Sequence, residues 1–434
     1  MAGRGLRSGA DGAGGEVSDP QPPLRVLQVA AGDGDGGADQ VAVRLTAGLR
    51  ARGHEAWLAV GRRASHDAHV LALPHDHATT AIGSASGRIY DSLLGIAARH
   101  PGSGAGRLAR WLRLATHPDA FEAWRTGLED FDFPGTARLL DLPPSPPDVV
   151  HAHNLHGGYF DLRQLAPLSA RLPVCLTLHD AWLLSGHCAH GFDCDRWRTG
   201  CGACPDLTIE PAVRRDRTAE NWRRKQAIAA ASRLHVATPS QWLMDRVGQS
   251  LLAPAVASAR VIPNGIDTAF FAPGDRAAAR AALALPADAA VILVTTGDTG
   301  APWRDGPLLV EALHRCGASV AGAPVRVLAA GRAPLDAGRL PPAVAAQVTT
   351  LGHLTPARMR TAYQAADVYV HAARVDTFPT TVIEALACGL PVIATRAGGI
   401  PEQIRPVPLA AVAGRDGLHR ADGTGVLVEP GDAE

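Results

Sequence analysis

The sequence predicts an α/β protein made of two doubly wound domains. Three observations carry this. Short apolar runs that end in polar residues alternate with helical stretches, the pattern occurs twice, and a Pro-Asn-Gly turn at 263–265, suited to neither helix nor strand, separates the two sets. At 434 residues and 46% hydrophobic content there is enough chain for two cores, and a formal net charge of zero gives no reason to expect a nucleic-acid partner.

The expected organisation is a leader at 1–23, a first domain at 24–258 and a second at 259–434. The leader is rich in Gly, Ser, Asp and Pro and lacks the continuous apolar core of a signal peptide, so it reads as disordered. No run reaches the roughly 18 to 20 apolar residues of a membrane span. A cytoplasmic protein with reduced cysteines is therefore expected.

Leu24 to Ala30 reads as a buried strand that runs into Gly-Asp-Gly-Asp-Gly-Gly before a helix from Ala38 to Arg52. Gly32, Gly34 and Gly37 fit a dinucleotide fingerprint, with Arg62 and Arg63 where a 2′-phosphate would sit, so an NADP-dependent oxidoreductase is a formal rival. Asp33 and Asp35 count against it, because they set two negative charges against the pyrophosphate. Residues 64–147 read as helical excursions. Within them Leu108, Trp111 and Leu112 share one helical face and Arg107, Arg110 and Arg113 another, which fits a helix docked on its own domain or one lying on an anionic membrane.

Two strands then end in polar residues, Asp148-Val-Val-His-Ala-His-Asn and Val174-Cys-Leu-Thr-Leu-His-Asp. Ligands of open α/β sheets bind at the carboxyl ends of strands, which places His151, His153, Asn154, His179 and Asp180 for chemistry. Cys188, Cys194, Cys201 and Cys204 follow. The C-x2-C pair is a zinc half-site, so a structural zinc is expected, with His187 or His190 able to replace one ligand; reduced packing cysteines and disulfides are the alternatives. A helix from Glu220 to Ala231, a strand from Leu234 to Thr238 and a helix opened by Pro239-Ser240-Gln241 complete the first domain.

In the second domain, strands are expected at Val291–Thr296, Val325–Ala330 and Asp367–His371. The stretch Asp376 to Glu402 comes next. A loop ends at Thr380, which can cap a short helix carrying Glu384, and Gly389 and Pro391 stop that helix before a strand at Val392–Ala394. Arg396-Ala-Gly-Gly then opens another helix at Pro401. Two helix N-termini with unpaired N–H groups thus bracket one strand, an arrangement suited to a di-anion such as a pyrophosphate, and Glu384 suits a sugar diol. A hydrolase pair at Asp376 and Glu384 is disfavoured, because hydrolase carboxylates usually approach the bond from opposite sides of a cleft.

This run is similar to the nucleotide-sugar signature of the retaining family-4 glycosyltransferases of GT-B fold. Asp376 stands where the first glutamate of that signature is found, Glu384 where the second is, and Gly398, Gly399 and Glu402 follow in register. His151 to Asn154, Trp182 to Cys188 and Asp193 to Trp197 resemble the colanic-acid and exopolysaccharide branch. The resemblance implies two Rossmann-like domains facing a cleft. It also implies retaining transfer of a sugar from a nucleotide-sugar to a saccharide acceptor, lipid-linked, without a catalytic metal, at the inner face of the membrane.

Carried over residue by residue, it places His179 near the transferred sugar, Asp376 on the donor sugar or its phosphate, and Glu384 on the ribose. Thr380, Thr381, Gly398 and Gly399 would hold the pyrophosphate, Gly36 and Gly37 form the first glycine loop, and His353 lies where the base is held. His153, Asn154 and Asp180 fall on the acceptor side. One position departs from the pattern: the family's lysine before a glycine is Asp305 here, so Arg304 beside it would have to reach the pyrophosphate. That departure, with the shorter Asp376, makes a non-catalytic sugar-nucleotide binder the alternative. Asp432 looks like an N-cap whose helix is absent, as if the domain were truncated.

Overall fold

A computed structural model describes residues 22–34, 36–74, 81–100, 103–297, 302–408 and 423–431. Most of the expected leader, Asp35 and Asp432 lie outside the described residues. The chain forms two compact units, one running to Thr238 and including Leu243–Val261, the other comprising Pro239–Trp242 and the chain from Ile262 onward.

The first unit is built on a parallel sheet. Its strands are β1 (Arg25–Gly32), β2 (Glu55–Arg62), β3 (Val70–Ala72), β4 (Val149–Ala152), β5 (Val174–Thr177), β6 (Leu234–Thr238) and β7 (Val256–Val261), in the spatial order β3-β2-β1-β4-β5-β6-β7. Leu27 and Val29 of the central strand are fully buried, as expected for a strand covered on both faces. β7 moves the boundary from the expected 258/259 to Val261/Ile262. Its Val-Ala-Ser-Ala-Arg-Val sequence is a mostly exposed edge strand, so it lacks the apolar run that marks the others.

The stretch at 64–147 does contain helical excursions, at Ala81–Arg99, Ala105–Thr116 and Pro118–Thr126. The two expected faces of the second helix are not cleanly divided, however. Leu108 and Trp111 are 58% and 60% exposed, while Arg113 is buried and paired with Asp130 at 2.7 Å. No helix among the described residues is long and apolar enough to cross a membrane.

The second unit has β8 (Ala290–Gly297), β9 (Ser319–Val320), β10 (Ala323–Gly331), β11 (Val348–Gly352), β12 (Val368–His371), β13 (Val392–Thr395) and β14 (Gly425–Val428). The sheet order is β11-β10-β8-β12-β13-β14, all parallel, and β9 adds a short antiparallel pairing to β10. Two aromatic residues anchor its core, Tyr363 and Tyr369, with ring centroids 5.8 Å apart at right angles. Its helices start at side-chain caps where the sequence offers them: Asp275 accepts from the amides of Ala277 and Ala278, and Thr355 from that of Arg358.

Candidate active site

In the second unit, the short helix spans Thr380–Ala387 with Pro379 at its N-cap, so Thr380 is the first helical residue and caps nothing. Among the described residues the amides of Thr380, Thr381 and Gly398 have no hydrogen-bond partner. The expected helix at Pro401 is only a single 3-10 turn, Ile400–Glu402. The chain then turns extended, with the Val407 amide donating to Gly425 O and the Thr424 amide to Arg405 O, which leaves no room for further turns.

The two loops are held against each other. The Gly399 amide donates to Asp376 O at 2.9 Å, so that amide is spent on the fold and drops out of the expected anion set. Gly398 sits at φ +60°, and a Cβ there would lie 2.0 Å from Asp376 O. Only glycine fits both conditions.

Around Asp376 is a group that the sequence only partly indicates. Arg304 Nη1 lies 3.6 Å from Asp376 Oδ2 and 2.5 Å from His371 Nε2, and His371 Nε2 is itself 3.6 Å from the same carboxylate oxygen. His371 Nδ1 is 2.9 Å from Tyr369 Oη, which donates to Thr381 Oγ1 and is 2.6 Å from Thr295 Oγ1. Because Arg304 can only donate, His371 accepts on Nε2 and carries its proton on Nδ1. Burial, reinforced by Arg304, pushes the His371 pKa down to about 4. The imidazole is therefore a neutral strut that aims a permanent cation at Asp376.

Asp305, standing where the resemblance expects a lysine, caps the helix Gly306–Cys316 by accepting from the Leu308 amide at 3.1 Å. Its charge is committed to a helix terminus, and Arg304 is the cation at this place. Glu384 is buried and accepts from Tyr363 Oη at 3.2 Å, with its backbone inside the short helix. His353 is exposed just beyond β11.

In the first unit, the ends of β4 and β5 bring three histidines into a stack. Ring centroids of His151 and His153 are 4.6 Å apart, and those of His153 and His179 are 5.2 Å apart. His153 Nε2 lies 2.8 Å from Gln28 Oε1 and its Nδ1 lies 2.9 Å from His179 Nε2. With Gln28 Oε1 as acceptor, His153 is protonated on Nε2 and accepts the Nε2–H of His179. Burial lowers His151 and His179 to about 4 and His153 well below its ordinary value, so all three are neutral near pH 7. His153, expected on the acceptor side, is 1% exposed and orients His179 instead.

Asn154 and Asp180 do come together: Asn154 Nδ2 donates to Asp180 Oδ2 at 2.9 Å. The same oxygen is 2.7 Å from Nε2 of His156, a residue that sequence reasoning missed. Burial opposes a charge on His156, but the Asp180 carboxylate outweighs it and raises the pKa above the usual value.

Gly36 and Gly37 form the exposed N-terminus of the helix Gly37–Ala51, with no side-chain cap. Asp33 does not confront an incoming anion, because its two oxygens accept from the amides of Ala64 and Ser65. Arg63, needed for a 2′-phosphate in the oxidoreductase reading, donates to Ser65 O and Asp67 O.

The four cysteines expected to hold a zinc ion lie in one loop as free thiols. Among the described residues no group of three or more His, Cys, Asp or Glu is arranged to hold a metal ion. The sulfurs serve local contacts: Cys201 accepts from the Gly186 amide, Cys188 donates to Ser185 Oγ, and Cys204 lies 3.4 Å from His187 Nε2. Cys194 is likewise a free thiol. Burial pushes the Cys201 thiol up to about 12, which favours the protonated form. The loop is pinned by Lys225, the sole lysine, which is fully buried. It pairs with Glu129 at 2.9 Å, donates to Trp182 O and Ser185 O, and sits 3.8 Å from the Trp182 ring centroid.

Comparison with known proteins agrees with this geometry. The family model for Glycosyltransferase Family 4 matches residues 35–270, more than half of the chain, and that for Glycosyl transferases group 1 matches residues 290–434. A protein assigned to colanic acid biosynthesis as the glycosyl transferase WcaC, from Escherichia coli K12, is 28% identical over 60% of this chain and 62% of its own length. The D-inositol 3-phosphate glycosyltransferase of Mycobacterium avium is 34% identical over 40% of this chain and 42% of its own. The chain thus spans less than two thirds of the length of these relatives.

Among solved structures, Anabaena HepE in complex with UDP-glucose superimposes with a TM-score of 0.56 at 17% identity, covering 94% of this chain and 86% of that one. Sucrose-phosphate synthase from Thermosynechococcus elongatus gives 0.54 at 17%, covering 94% and 87%. With two parallel-sheet α/β units of this topology, the chain has the GT-B fold and belongs to glycosyltransferase family 4.

Proposed function

We propose that the chain transfers a sugar from a nucleotide-sugar donor to a saccharide acceptor in the assembly of a surface polysaccharide, with retention of anomeric configuration. The observation that carries this reading is the Arg304–Asp376 pair tied, through His371 and Tyr369, to the open amides at the start of the Thr380–Ala387 helix. The donor pyrophosphate takes the amides of Thr380, Thr381 and Gly398 together with Arg304, which supply charge stabilisation as the nucleoside diphosphate leaves. Asp376 accepts hydrogen bonds from hydroxyls of the donor sugar, and Glu384 from those of the ribose. His179, neutral and aligned by His153, contributes a hydrogen bond to the transferred sugar. The departing phosphate takes the acceptor proton.

UDP-glucose in the HepE structure and the polysaccharide assignment of WcaC support a nucleotide-sugar donor and this acceptor class. Asp305 and the shorter Asp376 are the features that favour a non-catalytic binder; the commitment of Asp305 to a helix cap speaks for the transferase instead. Thermal stabilisation by nucleoside diphosphates, followed by release of the diphosphate from a donor panel with acceptor present, tests the reading. If no nucleoside diphosphate raises the Tm while NADPH does, it is overturned.

A further inference from the structure

Thr381 has more to offer a ligand than its amide. Its side-chain oxygen ends a chain of hydrogen bonds that begins at Arg304, and the direction of each bond follows from which atoms carry protons. Arg304 can only donate, so His371 accepts on Nε2 and its Nδ1–H donates to Tyr369 Oη at 2.9 Å. The phenol has a single proton, and it goes to Thr381 Oγ1 at 2.9 Å. Thr295 Oγ1, 2.6 Å from the same phenol oxygen, is then the donor of that contact. Thr381 Oγ1 is thus an acceptor toward the protein, and its own proton has no acceptor among the described residues.

The chain is held firmly. Tyr369 and His371 are two apart on β12 and share one face of the sheet, and they are 0% and 1% exposed. Thr295 stands on the neighbouring strand β8. Tyr363 Oη lies 3.2 Å from Thr381 O, so the same threonine is also held through its backbone. Thr381 itself is half-buried, at the open end of the chain.

Arg304, His371, Tyr369 and Thr381 all donate in one direction, away from the guanidinium. Aligned bonds in a site closed to water polarise one another, so a negative charge beyond Thr381 strengthens every bond behind it. The carboxylates of this region do not supply that charge. Glu384 accepts from Tyr363 Oη and Asp376 faces Arg304, and neither accepts from Thr381 Oγ1. The hydroxyl proton and the unpartnered amide therefore belong to one residue and await the same kind of acceptor.

We propose that the Thr381 hydroxyl is a side-chain donor to the diphosphate of the nucleotide-sugar, and that Tyr369 is the positioning residue that turns its proton outward. The inference rests on the reading that a nucleoside diphosphate binds at the start of the Thr380–Ala387 helix. The test is titration calorimetry of the full chain with UDP and GDP, on the wild type, Thr381→Val, Thr381→Ser, Tyr369→Phe and Tyr369→Phe/Thr381→Val, with the Tm of each variant measured alongside.

Thr381→Val keeps the shape and removes the hydroxyl, and it is expected to lose about tenfold in affinity for the diphosphate that binds, with Thr381→Ser staying within about threefold of the wild type. Tyr369→Phe leaves the hydroxyl but not its direction and should lose about fivefold. The double variant should lose no more than Thr381→Val alone, because both changes break one chain. Thr381→Val within threefold of the wild type overturns the hydroxyl as a donor, and equal losses in the valine and serine variants reduce it to a packing group. Losses that add in the double variant overturn the positioning role of Tyr369. Thr381→Val and Thr381→Ser decide the proposal even if Tyr369→Phe does not fold. Absence of UDP and GDP binding in the wild type sinks the nucleotide-sugar reading and this inference with it, whereas binding that survives Thr381→Val sinks only this inference.

Discussion

The two units treat buried polar groups at their strand ends in opposite ways. In the first, His151, His153 and His179 stack on one another and are kept neutral by burial, which outweighs the nearby Asp180 carboxylate. In the second, one imidazole of the same kind, His371, holds a permanent cation against a carboxylate. The Arg304–Asp376 contact is long, at 3.6 Å, with side chains 20% and 19% exposed, so it is a loose pair that a phosphate can enter. A neutral stack offers hydrogen bonds to hydroxyls but no field for a di-anion. In the function proposed above, charge handling falls to the second unit and sugar orientation to the first.

The substitution with the largest expected effect is Arg304→Ala. It removes the side-chain cation that faces Asp376, and kcat/KM for the donor should fall by about 100-fold or more, with Arg304→Lys recovering part. The comparison breaks if the alanine variant stays within threefold of wild type in a diphosphate-release assay.

Acid should separate the units next. A histidine whose folded pKa lies below its unfolded value of about 6.5 contributes stability above that pH, and this is lost as pH falls through the folded value, because the unfolded chain takes up the proton first. His151 and His179, each near 4, and His153, also pushed well down by burial, load this effect on the first unit, against His371 among the described residues of the second. Asp39, whose carboxyl burial raises to about 6, and His156, raised by Asp180, work the other way, but they are two groups against the three of the stack and His187, which burial also lowers. Hydrogen exchange between pH 7 and 4.5 should show the first unit loosening earlier. Simultaneous loosening would remove the claim that the histidine stack is the acid-sensitive part.

Gly398→Ala is expected to act more modestly. The left-handed backbone and the Asp376 carbonyl both oppose a Cβ, so the loop carrying Asp376 must shift, and donor KM should rise about tenfold. Gly34→Ala, where a Cβ meets nothing within 4 Å, is the control in the first unit and should leave KM unchanged. Equal effects at both glycines would mean that the contact with Asp376 has no special role.

Much of this was legible in the sequence because it is local. The central strands of both sheets, the short helix at Glu384 and the glycine pair were readable from apolar runs and turn residues within a few positions of one another. His179 is singled out by its place at a strand end and Asp376 by its match to the family signature. What escaped depends on strand order. Thr295 meets Tyr369 because β8 and β12 are neighbours in the sheet, and Gln28 meets His153 because β1 lies beside β4. His371 looked like the last residue of a strand, and only its distance to Arg304 gives it a role. In the cysteine loop, spacing alone does not say which contacts each sulfur makes: Cys201 accepts from the Gly186 amide and Cys204 lies beside His187.

Asp305→Ala should have the smallest effect, and it tests how the second unit tolerates a carboxylate where the family resemblance expects a lysine. The side chain accepts from the Leu308 amide at the start of the Gly306–Cys316 helix, where negative charge is favoured by the helix dipole. Removing it should cost about 1 kcal/mol of stability, seen as a small drop in Tm, and Asp305→Asn should restore most of that because it keeps the acceptor. If the carboxylate also repelled the donor pyrophosphate, both variants would tighten nucleoside diphosphate binding by removing the charge. Donor affinity unchanged within twofold in both, with Tm lowered only in the alanine variant, separates a cap from a misplaced charge. It leaves Arg304 as the cation of the site.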